Sequence, residues 1–264
     1  MEGRADPDPL KVVLIQEVER YNKLLFFVHR TLSDLAKAMQ GLVTITPLLD
    51  LIIAAFVNFA VPSKWGFAYP SLKPLAAWTR DLQGRCAQLD GWWREKVPTV
   101  YWLPGLTYPT GFLTALLQTT ARKNALAIDS LVWDFPVLPF YDASSKKQPP
   151  LLQQPAKEGA FTYGLFLEGA RWNSDTPDNA GCLMEPLPME LYADMPTLHF
   201  KPVEAANKKK VGKGTYMCPL YMYPLRTGSR ERPSYVATVE LKSGLGTPEF
   251  WTKRGTALLL SLAF

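Results

Sequence analysis

Apolar residues recur at Leu10, Val13, Leu14, Tyr21, Leu24, Leu25, Val28, Leu32, Leu35 and Met39. That spacing puts one stripe on a helix of about eight turns. Asp8-Pro9 opens it as cap and first-turn proline, and Gly41 sits where a C-terminal cap belongs. Thr46-Pro47 repeats the opening signal. The helix it starts, Leu48 to Ala60, is apolar almost all round, so the pattern predicts that it is sandwiched between other elements. Ser71 to Glu95 gives a third helix, with Leu75, Trp78, Leu82, Cys86, Leu89 and Trp93 on one face. Gly111 to Lys123 reads as a fourth, with Phe112, Ala115, Leu116 and Thr119 inward.

After Asp129 the helical period disappears. Short β-branched and aromatic runs take over: Leu131–Val137, Tyr163–Leu167, Ala170–Trp172, Thr197–Lys201, Thr215–Tyr223, Tyr235–Leu241 and Thr256–Leu262. Turn residues such as Pro149-Pro150, Glu168-Gly169 and Gly244 separate them. The expected fold is α+β: a helical subdomain over residues 1–128, then several short strands in series over 129–264, which suggest an antiparallel sandwich or open barrel. The run 144–157 is polar and proline-rich and reads as a loop.

Composition is globular: 47% hydrophobic, 20% charged and 12% aromatic over 264 residues. The +5 net charge is local. Residues 201–232 carry eight Lys or Arg against Glu204 and Glu231, so the rest of the sequence is near neutral. A basic surface spread over the whole fold is thereby excluded, and nucleic acid is not an expected partner. Lys208, Lys209, Lys210 and Lys213 remain a candidate partner-binding loop. Three cysteines far apart fit neither a disulfide framework nor a zinc site. Leu48–Val61 is too short and too polar to span a bilayer, so no membrane is expected.

Catalytic chemistry finds little support. Gly212-Lys213-Gly214-Thr215 fails as a phosphate loop, because Asn207 stands where the first glycine belongs. Gly244-Leu245-Gly246 is followed by Glu249 in place of a third glycine, and the reading there is a turn with no helix after it. A triad would have to use His29, expected at the surface or rim, or His199, expected as a satisfied or surface residue of a strand. Glu168 and Glu185 can be posed as a glycosidase-like carboxylate pair, but nothing in the sequence brings them together. No cofactor is implied.

Residue strings say more than composition. Arg20-Tyr21-Asn22-Lys23-Leu24-Leu25, Val61-Pro62 with Trp65, and Tyr69-Pro70-Ser71-Leu72-Lys73-Pro74-Leu75 with Trp78 and Asp81-Leu82 resemble the C-terminal domain of dynein heavy chains. So do Phe112-Leu113-Thr114-Ala115, Ala121-Arg122-Lys123, Gly164–Trp172, Cys218-Pro219-Leu220-Tyr221 and Arg254–Leu259, in family order over nearly the whole sequence. Ala121–Lys123 and Gly164–Trp172 look more like the axonemal type. The 144–157 and Lys208–Lys213 segments match no family string.

The resemblance implies one segment of a longer heavy chain: a helical half, then an incomplete six-stranded barrel, placed after the last module of an AAA+ ring. Such a domain is not itself an ATPase. It packs on the ring of its own heavy chain, belongs to the dynein complex, acts on microtubules indirectly and sits in the cytoskeleton of a cilium or flagellum. Arg20, Tyr21, Asn22, Trp65, Tyr69, Pro70, Lys73, Trp78, Trp102, Arg122, Glu168, Arg171 and Trp172 are the family-motif or ring-contact candidates. The loops Trp65–Tyr69 and Tyr101–Tyr108 are plausible contact surfaces, and the aromatic strings can equally be staples of the helical half. A free-standing β-barrel module binding nucleic acid or an acidic partner through residues 201–232 is the competing reading, and a soluble hydrolase the third.

Overall fold

The computed structural model describes residues 7–69, 71–145, 147–176, 181–208, 212, 214–224 and 235–262. They form two compact units. One gathers Leu14–Glu95. The other gathers Lys96–Ser261 with the residues up to Val13. Packing, not texture, sets this division: the fourth helix goes with the sheets, although its sequence reads with the helices.

The first unit is built from α1 (Pro9–Met39) beyond its first turn, α2 (Pro47–Val57) and α3 (Leu75–Arg94). α1 ends as its sequence requires: Gly41 takes φ +72°, and the Leu42 N–H donates to the Lys37 carbonyl at 3.0 Å. The stripe holds for Leu14, Tyr21, Leu24 and Leu35, whereas Leu25, Leu32 and Met39 are exposed, with Glu17 and Thr31 buried instead. α2 opens on Thr46, whose Oγ1 accepts from the Leu49 N–H at 3.3 Å. It stops at Val57, three residues earlier than its sequence suggests, because Phe59 turns left-handed at φ +53°. α3 starts at Leu75, not Ser71, since Pro74 holds the residue before it out of helical geometry. Its buried face is Trp78, Leu82, Arg85, Leu89 and Trp92; Trp93 is exposed and Cys86 half-buried, so the face is turned by one residue from the expected one.

The second unit holds β1 (Tyr101–Trp102), α4 (Pro109–Asn124), β2 (Leu131–Asp134), β3 (Ala160–Tyr163), β4 (Phe166–Glu168), β5 (Arg171–Asn173), β6 (Cys182–Met184), β7 (Tyr192–Asp194), β8 (Leu198–Glu204), β9 (Thr215–Tyr221), β10 (Tyr235–Lys242), α5 (Pro248–Lys253) and β11 (Ala257–Leu259). The strands form a four-stranded sheet ordered β1-β3-β8-β2, a five-stranded sheet ordered β10-β9-β11-β4-β7 and the pair β5-β6. α4 packs against β8 of one sheet and β10 of the other. Phe112, Leu113, Leu116, Leu198, Phe200, Leu220, Val239 and Leu258 are core residues of this unit. Neither sheet closes among the described residues, which agrees with the expected α+β fold and incomplete barrel.

Four details depart from the sequence reading. Pairing is mixed: β1–β3 and β9–β11 run parallel, the rest antiparallel. The single strand expected at Tyr163–Leu167 is two, because Gly164 sits at φ +85° and breaks it. A Cβ there would also lie 2.5 Å from Trp102 Cδ1, so the turn needs glycine. The segments Cys182–Met184 and Tyr192–Asp194, not expected as strands, pair with β5 and β4. Finally, α5 does follow Gly246. Thr247 Oγ1 accepts from the Phe250 N–H at 3.3 Å and Pro248 opens the turn, the same signal that starts α2.

Candidate interaction site

The residues quoted from the helical half converge on a buried arginine. Arg85 of α3 donates from Nε to Asp81 Oδ2 at 2.6 Å and from Nη1 to Tyr21 Oη on α1 at 3.2 Å. Its guanidinium lies 4.1 Å over the Tyr69 ring. Lys73 Nζ reaches the other Asp81 oxygen at 3.4 Å. Burial works against the Arg85 charge, but the Tyr21 and Asp81 partners outweigh it and its pKa is raised. Burial likewise pushes both Tyr21 and Tyr69 up, only partly opposed by Arg85. It pushes the Cys86 thiol up as well. These groups are held in their ordinary protonation states, which suits structure rather than proton transfer.

A column of rings extends from this pair. Tyr69 stacks on Trp78 with centroids 6.1 Å apart, Trp78 on Trp65 at 5.8 Å, and Phe56 meets Trp65 edge-on at 5.7 Å. Trp65 Nε1 donates to Thr31 Oγ1 at 3.2 Å, tying the column to α1. Tyr21, Trp65, Tyr69, Lys73 and Trp78 are thus brought together, but inside the unit. Arg20 lies 3.6 Å from Glu17 on the same helix. Asn22 is exposed on the rim of an open groove of about 610 Å³, beside Leu25, Cys86 and Trp93. Pro70 lies outside the described residues.

The candidates of the second unit do not gather. Trp102 is half-buried against Gly164. Arg122 donates from Nη1 to the Pro7 carbonyl at 2.8 Å. Glu168 ends β4, and the following Gly169 carbonyl accepts from Arg254 Nε at 3.2 Å. Arg254 also pairs with Glu185 at 3.2 Å. Arg171 is half-buried opposite Met184, and Trp172 is buried against Gly181. Lys208 forms an ion pair with Glu240, while Lys209, Lys210 and Lys213 lie outside the described residues. His29 is exposed, and half-buried His199 is bonded through Nε2 to the Glu158 carbonyl at 2.8 Å, both as expected. Among the described residues, no group of three His, Cys, Asp or Glu side chains is placed to hold a metal.

An exposed apolar hairpin stands outside all of the expected sites. Leu35, Leu49 and Ile52 join the end of α1 to α2. Around that seam Leu51 is 58%, Val57 71%, Phe59 77% and Met39 82% exposed, and Leu42 and Ile45 are open too. The helix expected to be sandwiched therefore buries only Leu49 and Ile52. Single exposed apolar residues are ordinary, but so many on one segment make it a candidate interaction surface. Phe59 adds to this. It is an exposed aromatic residue in the left-handed region, where glycine is cheaper by about 1 kcal/mol. The all-round apolarity of Leu48–Ala60 is the one signal of this surface that the sequence carries.

Four findings from known proteins bear on this geometry. The family model for the C-terminal domain of the dynein heavy chain matches residues 2–260. The dynein-1-beta heavy chain of the flagellar inner arm I1 complex from Chlamydomonas reinhardtii is 52% identical over 264 residues, all of this chain and 6% of that protein. Dynein axonemal heavy chain 2 from Homo sapiens is 48% identical over 258 residues, 97% of this chain, and dynein axonemal heavy chain 1 from Rattus norvegicus 40% over 262. The chain spans about 6% of the length of these relatives.

Proposed function

The chain belongs to the family of C-terminal domains of dynein heavy chains, and on that premise we propose that it is a non-catalytic module seated on the AAA+ ring of its own heavy chain. It adjusts how ATP-driven ring movements become force and stepping along microtubules. The names of its relatives support a place in a dynein complex of the ciliary or flagellar axoneme. The observation that carries the reading is the open apolar hairpin from Met39 to Phe59. A segment of a few hundred residues that leaves such a surface uncovered has a partner for it, and the nearest partner is the rest of the same heavy chain.

The physical role follows from differential contact. A body that touches the ring more extensively in one nucleotide state than another shifts the equilibrium between them, and only that difference does so. About 1–3 kcal/mol changes the state ratio by roughly five- to 150-fold. Apolar burial at roughly 25 cal/mol per Å² supplies this from a change of about 100 Å².

The test uses Phe59→Gly with Leu51→Asp in the whole heavy chain. Both positions are already exposed, and glycine suits the backbone at 59, so the isolated 264-residue segment should keep its unfolding midpoint, with stability changed by less than about 1 kcal/mol. In the whole heavy chain, amide exchange over residues 39–59 should rise to the level of the isolated segment, and the ATPase should lose its coupling to movement. Equal exchange in the isolated and whole wild-type proteins would refute the seating.

A further inference from the structure

The described residues of the proline-rich run 144–157, which matches no family string, have a definite place. Leu152 is fully buried in a cluster with Val100 and Phe161. Gln148 and Gln153 side chains donate to the Ser145 and Gln148 carbonyls at 2.8 and 2.9 Å. Lys123 Nζ on α4 donates to the Lys157 carbonyl at 3.0 Å, and Asn124 Nδ2 to Glu158 Oε1 at 3.4 Å. The run is thus folded onto α4 and the four-stranded sheet as one wall of a half-open trough of about 630 Å³.

That trough collects positive charge over an apolar floor. Lys123 comes from the last turn of α4, Lys157 from the end of the run and Lys201 from β8. His199 precedes Lys201 by two on β8, so the two share a face, opposite the core residues Leu198 and Phe200. A carbonyl only accepts, so His199 Nε2 carries a hydrogen toward Glu158. Against three lysines stand the Glu158 carboxylate, engaged by Asn124, and Asp134, the cross-strand neighbour of Lys201. The apolar lining includes Leu138, Pro150 and Pro155, and Leu151 is left 56% exposed at its edge.

We propose that this trough is a recognition site for an acidic peptide segment of a partner protein. Carboxylates of the peptide pair with Lys123, Lys157 and Lys201, and an aliphatic side chain between them lies against Leu151 and Pro155. The mixed lining of the trough and the spread of the lysines over three elements suit an extended peptide better than a compact anion. A nucleotide would want a ring to stack on, and Phe161 is buried against His199, with centroids 4.7 Å apart. The site is separate from the apolar hairpin and does not depend on it.

Fluorescence anisotropy with the 264-residue protein tests it. The probes are a labelled peptide of alternating Glu and Leu, the same peptide with Gln for Glu, and inorganic tripolyphosphate as competitor. The Glu peptide should bind saturably and weaken with added salt, and the Gln peptide should bind at least roughly tenfold more weakly. The double variant Lys157→Gln/Lys201→Gln should lose roughly tenfold in affinity with an unchanged unfolding midpoint, whereas Lys64→Gln, at an exposed lysine outside the trough, should change nothing. No saturable binding below ~1 mM overturns the proposal, as does equal binding by the double variant. Displacement by tripolyphosphate at the same concentration as unlabelled peptide would also overturn it, in favour of a small-anion site.

Discussion

Arg85 shows how one residue can organise a unit. A buried cation on a helix face costs heavily unless it is paired and hydrogen-bonded, and here Asp81, one turn earlier, accepts from Nε and Tyr21, on another helix, from Nη1. Arg85→Leu leaves Asp81 buried with Lys73 as its remaining charged partner and should cost about 3–5 kcal/mol, read as a lowered denaturant midpoint. Arg85→Lys should recover little of this, since an ammonium cannot serve Asp81, Tyr21 and the Tyr69 ring from one plane. His199 gives a pH signature. Burial, helped by the Lys201 charge and opposed by the Glu158 carbonyl, holds its pKa below the ordinary 6.5. The unfolded protein therefore binds the proton first as pH falls. The contribution of His199 is full above about 6.5 and is lost as pH drops through that value toward the folded-state pKa. Thermal scans should show this acid-side loss, and His199→Gln, which keeps a donor for Glu158, should reduce it.

At the scale of elements, caps and glycines decide the boundaries. Thr46-Pro47 and Thr247-Pro248 are the same start signal, and both threonines accept the expected N–H. Thr46→Ala and Thr247→Ala should each cost about 1 kcal/mol, and Thr46→Asp close to nothing, by chemical denaturation. The second signal is hard to read from sequence, because only six residues follow it before Arg254, too few to show a helical period. Gly164→Ala should cost more than either cap, about 1–3 kcal/mol, through both its left-handed backbone and the Trp102 indole. The long helices are legible because their periods run for several turns. Strands of three residues such as β6 and β7 are not, because their pairing, not their own alternation, defines them. The α3 face lies one residue from its hydropathy pattern for a related reason: hydropathy alone keeps Arg85 outside, and its partners Asp81 and Tyr21, one on another helix, let it in.

For the whole molecule, the family strings and the surface carry different information. Tyr21, Trp65, Tyr69 and Trp78 are buried in the packing of the helical unit, so their order in the sequence reveals kinship through the interior. The proposed docking face is the Met39–Phe59 hairpin, where a hydropathy pattern signals burial without saying whether the cover lies within the same segment. On the proposed reading, a module seated through this face tunes the motor from its surface. Gliding velocity and ATPase rate of one axonemal dynein motor, with this segment and cut just before it, test that role directly. The expected result is altered velocity or altered coupling of ATP use to movement, with ATP binding by the ring retained. Two motors alike in velocity, coupling and stability would contradict it.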